Sequence, residues 1–263
     1  MEILTETKDH TLLITLNRPE ASNAYTSSMI SDLVSALREA HLNDEIRSVL
    51  ITGAGKNFCA GGDVKAMAQK TGMFSGESFE LKSLYENGIQ QIPLAMEELK
   101  KPVIALVQGA AVGAGCDLAF MCDLRIASER ASFAETFTRV GLVPGDGGAF
   151  FLIRALGYAR AMELFLLTET ISAQEALKLG LVREVVLPEK LIDRGFEIAK
   201  IINSLPPIAV QLTKKSLKHA YESDLKTHLE LVSTYQSVTQ RTSDHFEAVG
   251  RLLGKEAAPY QNR

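Results

Sequence analysis

The sequence contains no tryptophan, and aromatic side chains make up 6% of its 263 residues, so its core must be filled by aliphatic side chains. It has three cysteines, Cys59, Cys116 and Cys122. They are odd in number and show no CxxC spacing, which argues against a disulfide framework and fits a reducing compartment such as the cytoplasm. No HExxH occurs and the five histidines are scattered, so no metal centre is expected. The 28 lysines and arginines, set against 32 acids, form no basic block, and nothing suggests a nucleic-acid partner. The opening "MEILTETKDH" lacks the basic and apolar regions of a signal peptide. The most apolar stretch, 102–127, carries Gln108, Asp117 and Asp123 and reads as buried core, with no membrane partner implied.

Several nucleotide and nucleophile motifs are also missing. "GAGKN" at 53–57 has no Ser or Thr after its lysine, so it is no phosphate-binding P-loop. "GAGCDL" would need its third glycine where Leu118 stands, which disfavours a dinucleotide fold. The absence of GxSxG disfavours a serine hydrolase of the nucleophile-elbow type.

The chain is 46% hydrophobic and 23% charged, enough to bury one large core with an appendage. Alternation around Lys8-Asp9-His10 predicts a hairpin. Apolar residues three and four apart predict a helix over roughly 26–43, and "RSVLITG" predicts a buried strand ending at Gly53. A mostly polar helix is expected over 77–100. "KPVIALVQG" then predicts a strand, and an apolar helix begins near Gly113. "LRIAS" and "ASF" read as short strands before a third glycine-rich loop, "GLVPGDGG". Strands alternating with helices imply an α/β core. Beyond Ser204 everything reads as amphipathic helix, placing a boundary between a core at 1–204 and a helical region at 205–263.

Two glycine-rich segments, "FCAGGDV" at 58–64 and "GAAVGAGCDL" at 109–118, each follow a predicted strand and lead to an aspartate. Glycine lets a ligand oxygen approach the backbone, and an amide at a helix start gains from the helix dipole. Two such amides can grip one developing oxyanion if the segments lie side by side.

These segments, with "LNRPEASNA" at 16–24, "GLVPGDGG" at 141–148 and "ISAQEALKLGLVREVV" at 171–186, resemble the crotonase, or enoyl-CoA hydratase/isomerase, superfamily over nearly the whole chain. The resemblance implies a superhelix of ββα units with a C-terminal helical trimerisation region, assembling as a homotrimer or a dimer of trimers. It implies an acyl-CoA substrate, whose coenzyme A is part of the substrate and not a separate cofactor. The oxyanion hole would be the amides of Gly62 and Ala114. Asn23, Ala24 and the run Gly62, Asp63, Val64, Lys65 would face the CoA portion, with Asp63 also suited to cap the following helix.

The carboxylates depart from the hydratase pattern. The first glutamate of the hydratases aligns with Asp117 and the second with Phe137, which cannot exchange a proton and is assigned to the acyl pocket. The aspartate of the dienoyl-CoA isomerases aligns with Gly145, one residue before Asp146. Asp117 therefore leads as the catalytic group; Asp146 is divided between proton carrier and N-cap of the next helix, and Glu135 is a third candidate. Met73, Phe74 and Phe79 suggest an apolar acyl chain. The missing second glutamate tilts the reading toward double-bond isomerisation over hydration. Other enolate chemistry (acyl-CoA hydrolase or decarboxylase) and a non-catalytic acyl-CoA-binding subunit remain as alternatives.

Overall fold

In a computed structural model describing residues 1–255 and 258–262, β1 (Ile3–Lys8) and β2 (Thr11–Leu16) form the expected hairpin. Asp9 and His10 turn the corner with φ of 48° and 65°, the twist that suits a two-residue connection. In α1 (Ser27–Leu42) the Thr26 hydroxyl accepts from the Met29 amide to cap the helix, and Met29, Ile30, Leu33, Val34 and Leu37 form its buried face. Next come β3 (Ser48–Gly53), α2 (Val64–Gln69), α3 (Ser78–Asn87) and α4 (Gln91–Glu98). The helical stretch expected over 77–100 holds two helices, separated at Gly88, whose φ and ψ of −113° and −110° no helix accommodates.

The chain continues through β4 (Val103–Val107), β5 (Ala110–Val112), α5 (Ala114–Met121), β6 (Leu124–Ser128) and β7 (Ser132–Ala134). It then runs through α6 (Gly148–Leu156), α7 (Tyr158–Leu167), β8 (Ile171–Ser172), α8 (Ala173–Lys178), β9 (Glu184–Val186) and α9 (Leu191–Asn203). The large sheet has the order β1-β2-β3-β4-β6-β9 and is parallel apart from the first pair. Its central strand β4 is apolar from end to end because both faces are covered. Val49, Ile51, Val103, Ala105 and Val107 point into the main core with α1 and α4. The alternate residues Leu50, Ile104 and Leu106 point the other way, onto Leu191, Ile198 and Ala199 of α9.

A second, thinner layer positions the site. Tyr25 bridges to Gly62 and Cys59 to Ala111, while β5, β7 and β8 form a small sheet. Successive turns of the chain therefore each supply one strand to the large sheet, one short extended piece to this layer, and a helix. The segment 109–118, expected as a turn, holds β5 because its amides find partners there: Val112 donates to Cys59 O at 2.9 Å.

The C-terminal region is α10 (Pro207–Glu222), α11 (Leu225–Thr239) and α12 (Ser243–Leu252). It is tied to the core by Lys214, whose ammonium meets the Asp123 carboxylate at 2.6 Å and donates to Lys101 O at 2.8 Å. Among the described residues no helix is long and apolar enough to cross a membrane.

Candidate active site

The two glycine-rich segments do lie side by side. Gly61 has φ of +76°, and a Cβ placed on it would stand 2.7 Å from Val112 O and 3.0 Å from Ala114 N. On the far side, a Cβ on Gly115 would stand 2.1 Å from Cys59 O. Only glycine lets the backbones approach this closely. Ala114 is the first residue of α5, where a helix amide has no intrahelical acceptor. Among the described residues neither the Ala114 nor the Gly62 amide donates a hydrogen bond. Both residues line one pocket of about 130 Å³.

Tyr25, Met67, Met73, Phe74, Phe137 and Leu142 supply much of the pocket wall. Phe137, Met73 and Phe74, the residues expected at an acyl pocket, all line this one. Phe79 does not: it is 85% exposed on α3 and takes no part in the pocket, because it lies on the solvent side of that helix.

Asp146 lines this pocket, whereas Asp117 and Glu135 do not. The three residues are 3%, 0% and 1% exposed, and none of their carboxyl oxygens makes a hydrogen bond of normal geometry. Asp117 projects from α5 against α6; a Cβ on Gly148 would overlap its carboxyl, at 1.7 Å from Oδ1. It lies within hydrogen-bonding reach of both Asp146 and Glu135. Three buried carboxylates cannot all be ionised at such range, so the cluster retains protons. Burial, then the charges of Glu135 and Asp146, push the Asp117 pKa well above the usual carboxylate range. Burial raises Glu135 to about 8. Asp146 is also raised by burial, an effect partly offset by Asp117 and by the nearby amides of Asp146 and Gly148. The remaining acid of the apolar stretch, Asp123, is accounted for by Lys214 and by the Val103 amide at 2.7 Å.

Asp146 is not a helix cap. The N-cap position of α6 belongs to Gly147, with no side-chain cap, and the aspartate turns inward to the cluster. Asp63 does cap α2, accepting from Lys65 N at 3.0 Å and Ala66 N at 3.2 Å. Asn23 is fully buried, and its amide nitrogen donates to the carbonyls of Ala54, Asn57 and Phe58 while its oxygen accepts from Arg18 N. Those bonds leave no side-chain hydrogen for a ligand, so Asn23 holds the loop after β3 in place. Ala24 is buried beside it, its carbonyl accepting from the Arg18 guanidinium. Val64 is 66% exposed at the pocket rim, with Lys65 exposed next to it. Tyr25 and Tyr85 also line the pocket and were missed; the one available signal was a phenol placed directly after Asn23-Ala24.

The whole chain, β1 through the C-terminal helices, matches solved structures of one fold. It is similar to an enoyl-CoA hydratase from Bacillus anthracis, at TM-score 0.91 and 33% identity over 100% of both chains. It is also similar to one from Polaromonas sp. JS666, at TM-score 0.89 and 33% identity over 98% of this chain and 99% of that one. The mixed α/β architecture is thus the crotonase fold. The family model for enoyl-CoA hydratase/isomerase matches residues 6–263, and the chain belongs to that family of enzymes. Its relatives include a 1,2-epoxyphenylacetyl-CoA isomerase from Escherichia coli, 34% identical over 99% of this chain and 98% of that protein. A short-chain-enoyl-CoA hydratase from Clostridium acetobutylicum is 34% identical over 96% of this chain and 95% of its own length.

Proposed function

We propose that the protein shifts the double bond of an enoyl-CoA thioester, with the Gly62 and Ala114 amides holding the enolate oxygen and Asp146 carrying the proton. The observation that supports this is that Asp146 is the one acidic residue lining the pocket that Gly62 and Ala114 also line. The thioester carbonyl accepts from the two N–H groups, which stabilise the charge that develops when a proton leaves the α carbon. Asp146 takes that proton and returns it to the γ carbon, moving the double bond into conjugation. One base suffices for this exchange, whereas hydration also needs a second group to activate water. The position that would supply it holds Phe137, a pocket wall. Burial raises the Asp146 pKa, which makes its carboxylate a stronger base than that of an exposed aspartate. Acyl-CoA is the substrate class, consistent with the named activities of the relatives, and no separate cofactor enters any step.

The test is turnover of a 3-enoyl-CoA against hydration of crotonyl-CoA, with deuterium incorporation at the α and γ carbons in D₂O. Asp146→Asn should lower isomerisation by about 10²–10⁴-fold with thioester affinity within a few-fold. Asp117→Asn should cost less, because Asp117 lies behind Asp146. Faster hydration than isomerisation would make the protein a hydratase. Saturable thioester binding with no turnover or exchange would make it a binding subunit.

A further inference from the structure

Beside the pocket lies a larger space, a groove of about 590 Å³ open to solvent between α3 and the loop 140–145. The two spaces share Met67, Phe74, Tyr85, Val140 and Leu142 in their walls, so a single layer of side chains stands between them. That layer can part at Met67. A Cβ on Gly62 would stand 2.3 Å from the Met67 Cε, so this methyl lies at the oxyanion turn, on an unbranched side chain free to swing aside. Tyr85 forms the far edge, its ring laid against Gly145, where a Cβ would stand 2.9 Å from Cε1.

The groove is lined for hydrocarbon. Val140 and Val143 are 53% and 75% exposed on its loop side, and Leu81 lines it from α3. Apolar side chains held in solvent along a concave surface mark a binding site. Of the polar side chains there, Lys82 pairs with Glu86, and the Gln90 amide donates to Gly145 O at 2.7 Å. These groups are committed to partners and present no net charge to a ligand. None of the residues assigned to the CoA portion borders the groove, so it opens apart from the CoA entrance.

We infer that this groove holds the distal part of the acyl chain, so the protein prefers acyl-CoA thioesters with long hydrocarbon chains to short ones. This rests on the reading of the pocket as the acyl site. The pocket alone, at about 130 Å³, has room for roughly four molecules of water at about 30 Å³ each, the bulk of a short acyl group. A longer chain must leave it, and beyond Met67 it meets apolar side chains. Each further methylene taken out of water against them strengthens binding by up to about four-fold.

The experiment measures binding of butanoyl-, hexanoyl-, octanoyl- and decanoyl-CoA by titration calorimetry, each below its micelle concentration. The wild-type affinity should rise along the series by about two-fold or more per methylene. Val143→Asp puts a charge in the groove at an exposed position that the fold tolerates, and should weaken decanoyl-CoA about ten-fold more than butanoyl-CoA. A wild-type affinity that stays flat or falls beyond butanoyl-CoA overturns the inference, and needs no variant to be seen. A rise that survives unchanged in Val143→Asp also overturns it, since the tail then lies on another apolar surface. Absence of deuterium incorporation from D₂O, with the rise present and lost in Val143→Asp, would defeat the isomerase reading and leave the groove as the tail site. Incorporation with a flat series would do the reverse.

Discussion

Asp117 and Glu135 lie behind Asp146, shut away from the pocket, and the folded chain holds their protons more tightly than the unfolded chain would. For Glu135 the pKa rises from 4.5 to about 8. Between those values the folded state binds more protons than the unfolded one, so stability falls as pH rises. The contribution is full below about 4.5 and is lost as pH passes through about 8. Asp117 and Asp146, also raised, act in the same direction. The expected outcome is a melting temperature that declines from pH 5 to 8.5, with a flatter profile in Glu135→Gln; a wild-type profile that rises over this interval would contradict the shared-proton cluster. The sequence shows that these acids exist but not that they meet. An aspartate in an apolar helix and one in a glycine-rich loop carry no mark of their distance, and the capping preference of Asp pointed Asp146 the wrong way.

At the scale of elements, the site depends on how the start of α5 approaches the turn before α2. That approach is set by Gly61, whose φ of +76° and absent Cβ admit the Ala114 amide at contact distance. Gly61→Ala should strain the backbone and push the two turns apart, with the melting temperature lowered. It should also reduce turnover by about 10²–10³-fold, the loss seen when one oxyanion donor is displaced. Near-normal turnover in a folded Gly61→Ala protein would remove the two-amide grip. The glycine pattern was legible because its cause is local: close approach demands glycine at the approaching residue itself. The break between α3 and α4 was not, since the polar character of 77–100 suits one helix or two and Gly88 is decided by how the following turn docks α4.

For the whole molecule, the C-terminal helices expose Leu217, Leu225, Leu229, Leu252 and Leu253, among other apolar residues. They contact the core through Lys214 and Lys218 and leave this surface in solvent. An apolar surface of that kind is the mark of an interface. The expected outcome is a trimer or a dimer of trimers in light scattering at micromolar concentration, with a monomer across that range as the contrary result.

The sequence by itself determined the alternation of strand and helix, the buried central strands, the glycine-rich turns, the helical end and the family. Each depends on residue type at short spacing, where steric fit, periodicity and composition act without distant partners. The tertiary structure alone decided which acidic residue lines the pocket and that Asn23 is a clamp for the loop after β3. Those outcomes depend on groups from 23–25, 58–63, 114–117, 135–137 and 146–148 meeting in one small volume. Hydrogen bonding and proton sharing act over a few ångströms of space, whatever the separation along the chain.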